Sequence, residues 1–485
     1  MWSPFTIFYL SILSTICYGE NPGVNIVLGE QELNKGAEYL ADKLISNDKE
    51  YQLPDVSGSE NIASVEIKYE FTQMRLVKFD HGNLLSKWVP ETGMHVSMEN
   101  GSATIECNWK IDTWLIQDSG RGIVTISGLT YSIIMGIRRI DPGVPSISLL
   151  DCQSSIQNFD IQLFGRLSYI YDTLKYLLQD VARSAVNWQF CSRMRTQSKK
   201  WDKSLSNLQL NVPLNPLVDL DLSIVGNPDI SDSYGTLGFK GLFRTHNEAR
   251  SKAAFSPAPL KISKQDDNMV NIGVSQSSLA SIASAYYSAE FLTFQVSHMV
   301  GSKALKTSEL AKYMPEISQH FPKPVPVKIY IYATRTPVVF LHSKNMTVQF
   351  GLSLQAYANA KHENIFSVNI VASVQLNMSM SEARGAQGTN LTASMNLNRL
   401  QIEGSPPKEN KVVVTEKAVQ QLFRGLIIPS INEDLSRGIF ISSSFLKNAA
   451  VYPEEGFATL AADYREVFTF IYQQVISQGN SDMCF

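Results

Sequence analysis

Residues able to carry chemistry are spread through the sequence without assembling into a catalytic motif. The seven histidines, at positions 81, 95, 246, 298, 320, 342 and 362, include no i, i+4 pair, so the spacing with which one helix face offers two imidazoles to a zinc ion is missing. No His-Glu-x-x-His, no Gly-x-Ser-x-Gly nucleophile turn, no phosphate loop and no dinucleotide fingerprint occurs. Scattered Ser, His and Asp can still converge in space, but the expectation is a protein without catalysis and without a metal. One basic run stands out: Arg193, Arg195, Lys199, Lys200 and Lys203, directly after Cys191. At a helix end such a run is ordinarily a solvated face that favours the helix dipole; the sharper alternative is contact with anionic headgroups through Arg193, Arg195, Lys199 and Lys200.

Cysteine chemistry depends on compartment. Residues 1–19 carry an apolar run from Phe5 to Ile16 followed by Cys17, Tyr18 and Gly19, which reads as a secretory signal peptide cleaved near Gly19. No later segment reaches the roughly 20 apolar residues a spanning helix needs, so the mature protein is expected to be secreted and extracellular. Removal of the signal leaves Cys107, Cys152, Cys191 and Cys484, which allow three pairings. Cys107 shares the apolar side of its segment with Ile105 and Trp109, which favours a buried thiol; a bond to Cys484 or to another chain stays open.

The elements that would position these residues follow from periodicity. Val65, Ile67, Tyr69 and Phe71 alternate with Glu66, Lys68 and Glu70, and Ile105, Cys107, Trp109 and Ile111 with Glu106, Asn108 and Lys110, as half-buried strands do. A longer alternation runs through Phe366, Val368, Ile370, Ala372, Val374, Leu376, Met378 and Met380. It turns at Gly385–Gly388 and returns through Leu391, Ala393, Met395 and Leu397. Strands of this length suit a bent antiparallel sheet or barrel. Helical stripes are few: Leu33, Ala37, Leu40 and Leu44; Leu163, Leu167, Ile170, Leu174, Leu177 and Val181; Leu279, Ile282 and Tyr286; and Val419, Leu422, Phe423, Leu426 and Ile427, where Pro429 would end or kink the helix. Asn100, Asn345, Asn377 and Asn390 stand in N-glycosylation sequons, the last three opposite an apolar strand face.

At 485 residues the chain is too long for one core, and two domains are expected. The divisions read from the sequence are 20–211 for an N-terminal barrel, 212–259 for a Pro-bearing connection that contributes to a central sheet, and 260–485 for a C-terminal barrel. A net charge of −3 gives no reason to expect a nucleic-acid partner or a strongly cationic membrane disruptor.

The ordered set of segments resembles the bactericidal/permeability-increasing and lipopolysaccharide-binding protein family. The resemblance rests on Asn21-Pro22-Gly23-Val24 and on Cys152 and Cys191. In the second half it rests on Tyr313-Met-Pro315-Glu316-Ile317, Phe321-Pro322, Ala333-Thr334-Arg-Thr336-Pro337 and Leu426-Ile-Ile-Pro429-Ser-Ile431-Asn432-Glu433 through Gly438. It implies an α+β fold of two similar antiparallel β-barrels, each wrapped on long amphipathic helices and joined by a central β-sheet into a boomerang. It also implies a Cys152–Cys191 disulfide and pockets for phospholipid acyl chains, with no other cofactor. The apolar stripes then supply the pocket residues Leu40, Leu44, Leu163, Leu167, Ile170, Leu174, Leu177, Leu279, Ile282, Tyr286, Leu422, Phe423 and Leu426; for each, closing a dry core is the plainer alternative.

The family's lipopolysaccharide binders carry cationic tips on the N-terminal barrel. Here the matching stretches, Val56–Ser64 and Lys110–Asp118, are neutral to acidic, and residues 20–215 hold 19 Lys and Arg against 23 Asp and Glu. Two functions remain: a secreted lipid-binding protein of innate defence, taking phospholipid, membrane surfaces or bacterial lipopolysaccharide, and a transfer or carrier protein for phospholipid or neutral lipid. The tip leans to the second. A purely structural protein with collapsed pockets is a third reading.

Overall fold

A computed structural model describes residues 21–46, 51–53, 55–62, 65–166, 183, 188, 190–245, 257–260, 262, 269–298, 303–358, 363–382, 388–442 and 450–463. These residues form an α+β fold of curled antiparallel sheets with a few helices.

Two compact units divide the chain. One gathers Leu28–Leu208 with Pro228–Thr236; the other gathers Gln209–Asn227 and Leu237–Glu466 with the N-terminal residues up to Val27. The division is not sequential, because Val24–Gly29 pairs with Met269–Ser275, placing Asn25 opposite Gly273 and Ile26 opposite Ile272. That strand belongs to a six-stranded sheet in the order Asp229–Ile230, Tyr234–Phe239, Val24–Gly29, Met269–Ser275, Phe457–Asp463, Ala450–Glu454.

In the first unit a long sheet runs Tyr51–Gln52, Val65–Asp80, Gly93–Asp112, Gln117–Ile140, Val144–Phe164, with Val56–Ile62 and Asn83–Val89 as side branches. The alternation read from the sequence is its sidedness. Tyr69 faces Ile111 and Phe71 faces Trp109 across neighbouring strands, and Ile67, Phe71, Ile105, Cys107, Trp109 and Ile111 are buried. Register shifts near Gln73, at Gly101 and at Ile134/Met135 insert bulges, the device that bends long strands into a curl.

The second unit repeats the plan with Thr293–Val296, Val327–Ala333, Asn345–Ala358, Glu363–Glu382, Gly388–Ile402, Ile439–Ser442 and the branch Val338–His342. Phe366, Val368, Ile370, Ala372 and Val374 are at most 3% exposed, as their shared parity requires.

Two helical expectations change. Leu163 does not open a helix: it lies on Val144–Phe164 opposite Gly122, because Ile161 and Leu163 continue the period-two pattern of the strand. Pro429 does not end its helix either. Glu416–Leu422 passes through a π-helical turn, Phe423–Ile427, into Ile428–Arg437, where Pro429 stands in the first turn and needs no N–H partner.

Candidate lipid-binding surfaces

The C-terminal apolar face changes character along its length. From Phe366 to Val374 it is sealed by protein side chains; from Leu376 onward it is only half covered. Leu376 pairs with Met395, Met378 with Ala393 and Met380 with Leu391, and all six are partly accessible. Their strand neighbours Asn377, Ser379 and Ser381 are polar and exposed on the other face. The sheet therefore offers a Met- and Leu-rich strip one residue pair wide. Flexible thioether side chains fit apolar partners of irregular shape.

The sequence-derived pocket residues fall into four groups. Leu422, Phe423 and Leu426 are 0%, 2% and 3% exposed and belong to the closed core with Phe366 and Ile370. Leu279, Ile282 and Tyr286 lie on the helix Gln276–Ser288 and are half-buried, but the fully buried face of that helix is Ser278, Ser281 and Ala285. Small residues win that face because the helix meets backbone: Ser278 Oγ donates to the Gly23 carbonyl at 3.0 Å, and Ser281 Oγ accepts from the Phe243 amide at 3.0 Å. Tyr286 is committed to polar and ring contacts, its hydroxyl accepting from Asn215 Nδ2 at 2.8 Å and its ring 5.7 Å from Phe291. Leu163 packs at the edge of the cluster around Trp109. Leu40 and Leu44 sit on the helix Glu30–Ser46, but their side chains lie outside the described residues, as do Leu167, Ile170, Leu174 and Leu177 altogether. Met380, Leu391 and Met395 were not among the pocket residues, although their alternation was readable.

On the N-terminal sheet the cysteines separate. Cys152 is bonded to Cys191, while Cys107 is a free, buried thiol. Burial pushes the Cys107 thiol up to about 11, against a weaker lowering from a backbone hydrogen bond with Gly122. Cys484 and residues 1–19, read from the sequence as a signal peptide, lie outside the described residues.

The Cys152–Cys191 bond fastens a helix, 190–206, onto the strand Val144–Phe164. Phe190 stacks on Tyr131 at 5.2 Å, and burial raises the Tyr131 phenol to about 12. Further along, Asp202 Oδ1 accepts from Ser146 Oγ at 2.7 Å and from the Ile147 amide at 3.0 Å. The helix runs through Cys191 to residue 206, so Arg193 and Arg195 stand on its body while Lys203 stands in its last turn, where a cation favours the helix dipole. Arg195, Lys199, Lys200 and Lys203 are exposed and Arg193 is half-buried.

The tip of the same sheet is the turn between Gly93–Asp112 and Gln117–Ile140. Thr113 organises it: its amide donates to the Ile116 carbonyl at 2.8 Å, and its Oγ1 accepts from the amides of Leu115 and Ile116. Trp114 is left 76% exposed and Leu115 66%, with no Lys or Arg between Ile111 and Gly120. Among the sequons, Asn100 and Asn377 are exposed, Asn345 is half-buried, and the Asn390 amide donates to the Arg437 carbonyl at 3.4 Å.

With this geometry in place, likeness to known proteins decides the family. Residues 32–208 match the N-terminal domain of the LBP/BPI/CETP family and residues 214–463 match its C-terminal domain. The chain belongs to this family. It is 24% identical over 482 residues to the human BPI fold-containing family C protein, covering 96% of this chain and 92% of that protein. It is also 24% identical over 429 residues to the bactericidal permeability-increasing protein of Sebastes schlegelii, covering 86% and 89%. A crystal structure of lipopolysaccharide binding protein superposes with a TM-score of 0.54 at 18% identity, covering 91% of this chain and 98% of that one, and so shares the fold. Among the described residues of this family member, no helix is long and apolar enough to cross a membrane.

Proposed function

We propose that this family member is a secreted, non-catalytic protein that holds phospholipid acyl chains against the apolar faces of its sheets. The half-covered strip Leu376, Met378, Met380, Leu391, Ala393 and Met395 carries this reading. Each acyl CH₂ laid on such a strip gains roughly 0.8 kcal/mol by leaving water, so a chain of ordinary length recovers what the protein leaves uncovered. The names of two relatives, lipopolysaccharide-binding protein and bactericidal permeability-increasing protein, support a lipid-binding reading. The leader-like start and the extracellular type of disulfide support secretion.

A second reading is favoured by the tip. Trp114 and Leu115 project from a turn flanked by Asp112 and Asp118, which puts apolar and acidic side chains at its apex, with Lys68, Lys110 and Arg121 set back on the strands, and suits exchange of phospholipid or neutral lipid with a lipid surface.

Native mass spectrometry of gently extracted protein tests the first claim. Phospholipid travelling with the protein is the expected result, and a fully folded, lipid-free molecule would overturn it. Competition between labelled lipopolysaccharide and phospholipid vesicles then ranks capture of endotoxin against transfer; preference for phospholipid is expected.

A further inference from the structure

We propose that the outer face of the helix 190–206, together with Trp188, is a docking surface for an anionic lipid bilayer, separate from the hairpin tip. Three observations combine. Helical spacing puts positions 188, 195, 199 and 203 on one side at about 100° per residue, with Lys200 at its flank. Arg195, Lys199, Lys200 and Lys203 are exposed on that side, and Trp188 is 72% exposed. The one acidic residue between positions 188 and 206, Asp202, spends its carboxylate inward on Ser146 and Ile147, so no carboxylate of that segment neutralises the stripe. Among the described residues these four cations enter no ion pair.

The scaffold is ordered before any partner arrives. The Cys152–Cys191 bond, the Phe190–Tyr131 stack and the Asp202 hydrogen bonds fix the helix along the strand, so little conformational entropy is lost on docking. On a chain of net charge −3, this stripe is a local positive field on a molecule that otherwise has no general attraction to anions. An indole at the end of a cationic stripe is the pairing suited to the bilayer interface, where the ring sits at headgroup depth and the cations meet lipid phosphates. A soluble polyanion would use the cations and leave Trp188 without a role. The surface is remote from the tip: Cys152 lies 12 residues along its strand from Phe164, which pairs near the tip with Arg121, a path of about 40 Å.

The test is co-sedimentation of the full chain with vesicles of phosphatidylcholine alone and of phosphatidylcholine with phosphatidylserine. Tighter binding to the anionic vesicles than to phosphatidylcholine alone, the difference removed by salt, is expected, with a blue shift of tryptophan emission that Trp188→Ala reduces and Trp114→Ala does not abolish. The triple variant Lys199→Gln, Lys200→Gln, Lys203→Gln should fold normally, since all three are exposed, and lose roughly a hundredfold in partitioning. Equal binding to both vesicle types, unchanged binding by the triple variant, or retention on heparin without vesicle binding each overturns the proposal. The inference does not rest on the acyl-chain reading: co-purifying phospholipid is expected to be the same in the triple variant and the parent, and its absence from both would overturn that reading alone.

Discussion

Ser278 and Gly23 stand 255 positions apart and meet at 3.0 Å, the Ser278 hydroxyl donating to the Gly23 carbonyl. A Cβ on Gly23 would lie 2.2 Å from the Lys240 carbonyl oxygen and 2.4 Å from Ser278 Oγ. Gly23→Ala is therefore expected to destabilise the protein by about 1–3 kcal/mol through overpacking. Ser278→Ala in the same chain should not rescue it, because the tighter clash is with backbone. Chemical denaturation of the single and double variants measures both effects, and full rescue would show that the hydroxyl alone sets the fit.

The disulfide invites a similar experiment. Cys152 and Cys191 are separated by 39 residues, for which loop-closure entropy gives about 3–4 kcal/mol of stabilisation. The Cys152→Ala, Cys191→Ala double variant should lose stability on that scale. Loss of tryptophan or tyrosine signal from the helix region before the rest of the sheet would further show that the bond mainly secures helix 190–206.

Cys107 has the opposite chemistry. Its folded thiol titrates near 11, above the ordinary value of 9.0, so the folded state keeps a proton that the unfolded state releases first. The stabilising difference is complete below pH 9 and is lost as pH rises from about 9 through 11. Cys107→Ala should flatten that part of the stability–pH curve relative to the parent. At pH 8 the native thiol should react with iodoacetamide far more slowly than after unfolding, and rapid native labelling would contradict the buried placement.

What the sequence made legible was whatever depends on local periodicity. Alternation from Val65 to Phe71, Ile105 to Ile111 and Phe366 to Val374 assigned strand and face correctly, because a one-residue slip would have exposed every apolar side chain in those runs. Leu163 was misread because Leu recurring every three or four residues beyond it suggests a helix, while the strand pairing that captures it comes from Gly122, far back in the chain. The helix Gln276–Ser288 forms where Leu279, Ile282 and Tyr286 indicate, but its fully buried face was not legible. Its large residues suggested the inward face, but the partner is backbone at Gly23 and Phe243, and only tertiary approach reveals that Ser278 and Ser281 are the residues small enough to meet it. The pass through Pro429 depends on a π-helical turn that no propensity signals.

The half-covered strip supplies the sharpest test of acyl-chain binding. Met378→Gln and Leu376→Gln place amides on the face that pairs with Ala393 and Met395, where an amide with no partner opposes an apolar ligand by about 1–3 kcal/mol. Co-purifying phospholipid per protein should fall severalfold in the double variant while the far-ultraviolet circular dichroism stays as in the parent, because both residues are only half-buried where they pack against the core and the sealed residues from Phe366 to Val374 are not substituted. Asn377→Gln, on the exposed face of the same strand, serves as the control: it should leave the lipid content unchanged, and any fall in the mass of the protein purified from a eukaryotic host would report a glycan at that sequon. A double variant with the parent's full lipid load would remove this strip from the binding surface and return Leu376 and Met378 to the role of imperfectly covered core.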